Sequence, residues 1–225
     1  MRLVGTVDGK GLALAAAAAS IFIIIAPARA QGLHEDFNGS AIDTSVWFVD
    51  GPVYVIDGAA YLPPTEPYFP WMITRVNPFP RVGDFFVNVR MRYPDAGTVG
   101  TGFTDGSTEL LRGFGVWMAP PPTFAPAIFV SIGEKSPVQV TIGPDASYHT
   151  YEWDYVAGTY YFYFDGHPMG SSASTFRPSV LRIGGPESAS TDGWYSLSVD
   201  YVYVSTTQAT PTGGATWGRL KSMYR

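Results

Sequence analysis

The 225-residue chain carries 14 basic and 19 acidic side chains, a formal charge of −5, and no cysteine. The acidic balance argues against nucleic acid, whose phosphates reward clustered Lys and Arg, and the lack of thiols excludes a disulfide framework and thiolate metal sites. Apolar residues at 46%, with 15% aromatics, 25 Gly and 19 Pro, suit a single all-β domain of many short strands with a sizeable core.

The first 30 residues, MRLVGTVDGKGLALAAAAASIFIIIAPARA, set Arg2 and Lys10 before an apolar run and end in Ala28-Arg29-Ala30, a small-x-small cleavage site. They read as a secretory signal peptide. A transmembrane anchor is the competing reading, but the run from Gly11 to Ile25 is short for a span of about 20 residues. Export with removal predicts a secreted or cell-surface protein with no anchor after processing. Residues 1–30 hold three basic groups (Arg2, Lys10, Arg29) and one acidic (Asp8), so residues 31–225 keep 11 basic against 18 acidic, a net −7.

Strands are expected over 47–49, 54–57, 71–75, 85–93, 113–118, 128–132, 138–142, 180–183 and 196–205, with a hairpin over 148–166. Trp71 follows a Pro-rich connection and reads as rim or core packing, or as part of an aromatic binding platform. Along 85–93, Phe85, Val87, Val89, Met91 and Tyr93 share one face and Phe86, Asn88, Arg90 and Arg92 the other, so one side is core and one is wetter. Arg90 and Arg92 suit surface solvation or pairing with neighbouring acids better than a ligand grip. Residues 94–112, rich in Gly, Thr and Asp, read as a long loop. Asp105, Ser107 and Glu109 alternate there, short of the roughly six to eight oxygens calcium takes.

Over 113–118, Phe114, Val116 and Met118 share one face and Gly113, Gly115 and Trp117 the other. An indole flanked by two positions without side chains offers a flat surface for a sugar ring, and burial of Trp117 by the proline-rich 119–126 segment is the equal alternative. In the hairpin, His149, Tyr151, Trp153 and Tyr155 share a face of the first strand, Ala157-Gly158 makes the turn, and Tyr160, Phe162 and Phe164 face away from Tyr161 and Tyr163. So many aromatics demand two covering layers. The three histidines lack zinc-ligand spacing, and neither G-x-S-x-G nor a phosphate-cradling glycine loop with a following helix is present.

The hairpin HTYEW…YYFYFDG resembles the H-x-Y-x-x-E-W and I-x-F-Y-V-D-G hairpin of the concanavalin A-like lectin and glucanase superfamily. Two more segments match in order: Asp36-Phe37-Asn38-Gly39-Ser40 with Asp43, Ser45 and Trp47 resembles D-F-N-G-S-x-x-D-x-x-x-W, and LSVDYVYV at 197–204 resembles the closing V-D-Y-V-x-V strand. The resemblance spans 35–205 and implies a two-sheet antiparallel β-sandwich of jelly-roll type. It also implies that the strand at 113–118 lines a cleft, where the glucanases carry E-x-D and a further Glu; this segment has no acid, so the usual nucleophile and proton donor are missing. Trp47 and Trp153 fall in the matching motifs at structural positions.

Carbohydrate binding without catalysis is the expected function, with Trp117, Trp71, Arg182 and Glu187 as candidate contacts and a polysaccharide or glycan as partner. The glucanase relatives place a binding aromatic near the end of the 180–183 strand, where this chain has Gly185 and Pro186. The resemblance further implies a structural calcium on Asp200 with oxygens near Asp36, Asn38 and Gly58, against an Asp200 that simply accepts hydrogen bonds. The rivals are a divergent glycoside hydrolase or lyase using acids elsewhere, such as Glu109 and Glu134, and a surface module with no small ligand. Residues 206–216 read as a linker. Residues 217–225 form a short basic amphipathic element resembling W-G-x-x-K-x-x-Y-R endings of secreted bacterial proteins, a candidate contact to the cell envelope.

Overall fold

The protein's structure, a computed structural model, describes residues 32–64, 70–93, 100–105, 113–119, 127–133, 135–142, 146–185 and 196–207. The expected signal peptide, the C-terminal element, and Glu109, Glu134 and Glu187 lie outside them, as does most of the 206–216 linker. The described regular structure is all strand, and among the described residues no helix is long and apolar enough to cross a membrane.

Among the described residues the strands are β1 (Leu33–Glu35), β2 (Trp47–Asp50), β3 (Tyr54–Ile56), β4 (Ala59–Leu62), β5 (Trp71–Thr74), β6 (Phe85–Arg92), β7 (Gly100–Thr104), β8 (Phe114–Ala119), β9 (Ala127–Ile132), β10 (Lys135–Ile142), β11 (His149–Val156), β12 (Thr159–Phe164), β13 (His167–Ala173), β14 (Arg182–Gly184) and β15 (Leu197–Ser205). They form two antiparallel sheets. One runs β13-β12-β11-β6-β15-β4-β3, with β1 also paired to β15; the other runs β10-β9-β8-β7-β14-β5-β2. The expected strands are present, and four more join them: β1, β4, β7 and β13.

The hairpin falls as the alternation predicts. Ala157 and Gly158 have φ of 49° and 81°, the doubly left-handed turn whose twist suits a two-residue connection. Tyr151, Trp153, Tyr155, Tyr160 and Phe162 are buried, whereas Tyr161 on the opposite face is 40% exposed. These rings meet Phe103 of β7 and Phe114 of β8: Trp153 lies with its ring centroid 5.9 Å from Phe103 and 5.3 Å from Phe114. Its indole N–H also donates to the Ser131 carbonyl of β9 at 3.0 Å, so this one side chain joins the two sheets by packing and by hydrogen bond.

Closing strand β15 changes parity in its middle. Leu197 and Val199 are buried in the core, and so are Val202 and Val204, which a strict period of two would turn outward. The register against β6 accounts for it: Val199 pairs with Met91 and Tyr201 with Arg90, leaving Asp200 as an extra residue in a bulge. The bulge keeps apolar side chains inward along nine residues.

The sequence expectation of a long loop over 94–112 needs correction. Gly100–Thr104 is a strand, pairing with β8 on one side and β14 on the other. Its glycine is there for packing: a Cβ on Gly102 would lie 2.0 Å from the Tyr93 hydroxyl oxygen.

Candidate functional site

The sheet that contains β8 has its inner face filled by Trp47, Met72, Phe103, Phe114, Val116, Val130 and Ile183, all buried. Alternation therefore turns Phe48, Trp71, Ile73, Arg182, Thr104, Gly115 and Ser131 to the outer face. Cross-strand register aligns six of them in one row: Phe48, Ile73, Arg182, Thr104, Gly115, Ser131. The row has two halves. Thr104 and Ser131 are buried at its β7-β8-β9 end, while Phe48 is 42% exposed at the β2 end.

At the exposed end the side chains form a stacked series. The Arg182 guanidinium lies 4.8 Å from the centre of the Trp71 ring. Trp71 meets Phe48 at 5.5 Å between centroids with planes tilted by 41°. Arg75, just past β5, sets its guanidinium 5.5 Å from the Phe48 ring. Its Nε donates to the carbonyls of Thr44 at 2.7 Å and Trp47 at 3.3 Å, which fixes the side chain over the ring. Two neighbouring aromatic rings thus stand between two guanidinium groups over strands β14, β5 and β2, an arrangement held by attraction between the positive groups and the negative ring faces. On the same face Asp50, at the end of β2, is exposed and pairs across the strands with Trp71.

This geometry redistributes the residues expected from sequence. Trp71 and Arg182 are brought together. Trp117 lies in β8 with its backbone between Thr101 and Phe129, and its side chain is outside the described residues. The open space expected beside it is absent: a Cβ on Gly113 would lie 1.7 Å from Asp105 Oδ2 and 2.8 Å from Phe176, and one on Gly115 would lie 3.3 Å from Thr104 Cγ2. Those glycines accommodate neighbours instead of leaving room for a ligand. Sequence reasoning did not single out Phe48 and Arg75. Phe48 carries a readable signal, an exposed aromatic between the inward Trp47 and Val49 of an alternating strand.

On the other sheet, the outer face of β6 gives Arg90 and Arg92 to structural tasks. Arg90 forms an ion pair with Asp200 at 2.6 Å, and both guanidinium groups lie against Tyr148, at 4.8 Å and 4.6 Å. The pairing with a neighbouring acid expected for Arg90 is what forms. It bears on calcium too. Asp200 is buried and Arg90 already supplies its positive charge, while Asp36 accepts hydrogen bonds from the backbone and side chain of Asn38. Gly58 sits in the tight turn from β3 to β4 with φ of 68°. Among the described residues no three His, Cys, Asp or Glu converge on one point.

A carboxyl pair at alternate positions does exist, on the outer face of β11, as Glu152 and Asp154. Burial pushes the Glu152 carboxyl above the usual range, opposed by a hydrogen bond shared between the Glu152 and Asp154 carboxyls and by one that Asn88 Nδ2 donates at 3.1 Å. The E-x-D spacing was legible in HTYEWDY. It lies on the opposite sheet from β8 and from the Trp71 series.

No protein-family model matches the sequence, and no curated protein matches it. Solved structures do. A β-glucanase of Bacillus licheniformis superposes with a TM-score of 0.56 at 17% identity, covering 78% of this chain and 98% of the other. A prokaryotic β-1,3-1,4-glucanase (lichenase) derived from a mouse hindgut metagenome gives 0.59 at 13%, with 79% and 100% covered. The carbohydrate recognition domain of Emp47p gives 0.55 at 11%, with 79% and 95% covered. The chain has the concanavalin A-like fold, a β-sandwich shared by glucanases and by a carbohydrate recognition domain.

Proposed function

We propose that the protein is a secreted, non-catalytic carbohydrate-binding module that holds polysaccharide on the outer face of the seven-stranded sheet. The observation that carries this is the Phe48–Trp71–Arg182 series at the exposed end of that face. Aromatic faces receive the axial C–H bonds of a sugar ring, and the exposed Arg75 guanidinium beside Phe48 offers its terminal N–H donors to the hydroxyls. Strand β8 occupies the sheet where the resemblance puts catalytic acids, and Phe114–Ala119 contains none. The signal-like N-terminus is the support for export. Glu187 and Trp117 remain proposed contacts from sequence.

The test is retention of the full chain on a panel of immobilised neutral and acidic polysaccharides, repeated with Trp71→Ala. Binding that falls about tenfold in the variant, at unchanged thermal stability, is the expected result. Retention on no polysaccharide removes the proposal. Release of reducing ends or unsaturated sugars from a bound polysaccharide would favour the hydrolase or lyase reading instead.

A further inference from the structure

We infer that Asn38 is a modification site: its side-chain nitrogen is lost as ammonia through a cyclic imide closed by the Gly39 nitrogen. The inference stands apart from the carbohydrate reading. The chain has three asparagines, and the residue after each decides whether such a ring can close. Pro78 follows Asn77 and has no N–H to attack with. Val89 follows Asn88 inside β6, where it pairs with Tyr151 on one side and Val202 on the other, so two neighbouring strands hold this backbone extended. Asn38 precedes a glycine, which puts no side chain over its own nitrogen and turns more readily than any other residue.

The fold clamps the chain before Asn38 and releases it after. Phe37 is buried with its ring centroid 6.3 Å from that of Trp47, and its N–H donates to Glu35 Oε1 at 3.0 Å. From Asn38 to Ala41 the chain is exposed, and among the described residues no acceptor takes the Gly39 N–H. Asn38 itself donates to the Asp36 carboxylate through its backbone N–H at 3.3 Å and through Nδ2. Those bonds engage the nitrogen that leaves and not Cγ, the atom attacked. Being exposed, they exchange for bonds to water and slow closure by less than about tenfold.

The step needs only water. The Gly39 nitrogen bonds to Asn38 Cγ, the Cγ–Nδ2 bond breaks, and Nδ2 departs as ammonia with the proton that Gly39 gives up. Water then opens the ring at either carbonyl, leaving aspartate where the chain runs through the backbone carbonyl or isoaspartate where it runs through Cγ. No electrons change hands. Either product sets a carboxylate against Asp36 in place of an N–H donor and adds one negative charge.

The experiment incubates the full chain in warm, mildly alkaline buffer and maps samples over time with pepsin in acid, which suppresses closure during digestion. Asn38 should convert about tenfold faster than Asn77 or Asn88, or more. Isoaspartate, read by methyl transfer from a protein isoaspartyl methyltransferase, should appear in its peptide. A synthetic peptide of residues 36–41 sets the unrestrained rate, and Asn38 in the folded chain should convert within about tenfold of it. Gly39→Ala, which adds a Cβ 3.3 Å from the Ala41 carbonyl oxygen at a φ outside the left-handed region, should slow conversion about tenfold. A folded rate further below that of the peptide overturns the inference, because the Asp36 bonds then block the site. Aspartate without isoaspartate overturns the ring route, as does an unchanged rate in Gly39→Ala. If that variant does not fold, the isoaspartate readout and the peptide comparison on the parent chain decide.

Discussion

Arg90 forms an ion pair with Asp200, the residue that the family resemblance proposes as a calcium ligand. The pair spans 110 positions and joins two adjacent strands at the bulge, with Arg90 part-exposed and Asp200 buried. Asp200→Asn removes the charge on the acceptor of a charge-assisted hydrogen bond and should lower unfolding stability by about 2 kcal/mol, read by urea titration. With a guanidinium already in place, dialysis against a chelator should leave Tm unchanged; a fall restored by Ca²⁺ would return the metal to this position. Glu152 gives a pH dependence of definite sign. Its folded pKa is raised from 4.5, burial being the larger cause, so its contribution to stability is full below about pH 4.5 and is lost as pH rises through the raised value. Asp43 acts oppositely, since hydrogen bonds from Ser45 lower its pKa and its contribution is lost only as pH falls through that depressed value. Replacing Glu152 with Gln should therefore flatten the decline of Tm from pH 5 toward neutrality; a decline as steep as in the parent would dissociate it from this carboxyl.

Three hairpins use a doubly left-handed two-residue turn: Asp57-Gly58, Ala157-Gly158 and Asp165-Gly166. The second of these tests how much backbone strain the central hairpin stores. A Cβ on Gly158 would touch nothing within 4 Å, so Gly158→Ala measures backbone cost alone and should destabilise by about 1 kcal/mol. Ala157 already carries that strain at φ of 49°, and Ala157→Gly should stabilise by about 0.5 kcal/mol or slightly more; opposite signs in a denaturant titration are the check. The same turns explain which strands sequence reasoning reached. Alternation in 85–93 and 148–164 was strong enough to place β6, β11 and β12 and to choose their buried faces. Strands β4 and β13 were missed although an Asp-Gly turn announces a returning strand before each. Strand β13 reads HPMGSSA, polar and interrupted by proline, which an edge strand tolerates because one side of its backbone needs no ladder partner. In GTGFT the glycine and threonine content hid β7, where Gly102 yields room to Tyr93 and a bulge falls between Thr101 and Phe103.

The sandwich was legible because its motifs lie at both ends of the domain and in the middle, and because alternating aromatics need a cover on each side. The candidate site was less so. Trp71, Arg182 and Phe48 are far apart in sequence, and only the pairing of β2, β5 and β14 makes them neighbours. Without cysteines, the two layers are held by burial and by the few polar links that cross between them, of which Trp153 to the Ser131 carbonyl is one. Trp153 is fully buried, and it contacts Phe162 of its own sheet as well as Phe103 and Phe114 of the other. Trp153→Phe keeps an aromatic ring yet leaves part of the indole volume empty and loses the N–H that satisfies a buried carbonyl. The two losses should together cost about 2 to 3 kcal/mol. Trp153→Leu should cost more, because it also removes ring stacking with Phe103 and Phe114. If the sheets are held mainly by packing spread over the whole interface, the Phe variant will fall within about 1 kcal/mol of the parent. A larger loss, with no change in the denaturant slope that reports surface exposed on unfolding, will place the inter-sheet bond among the contacts on which the closed sandwich depends.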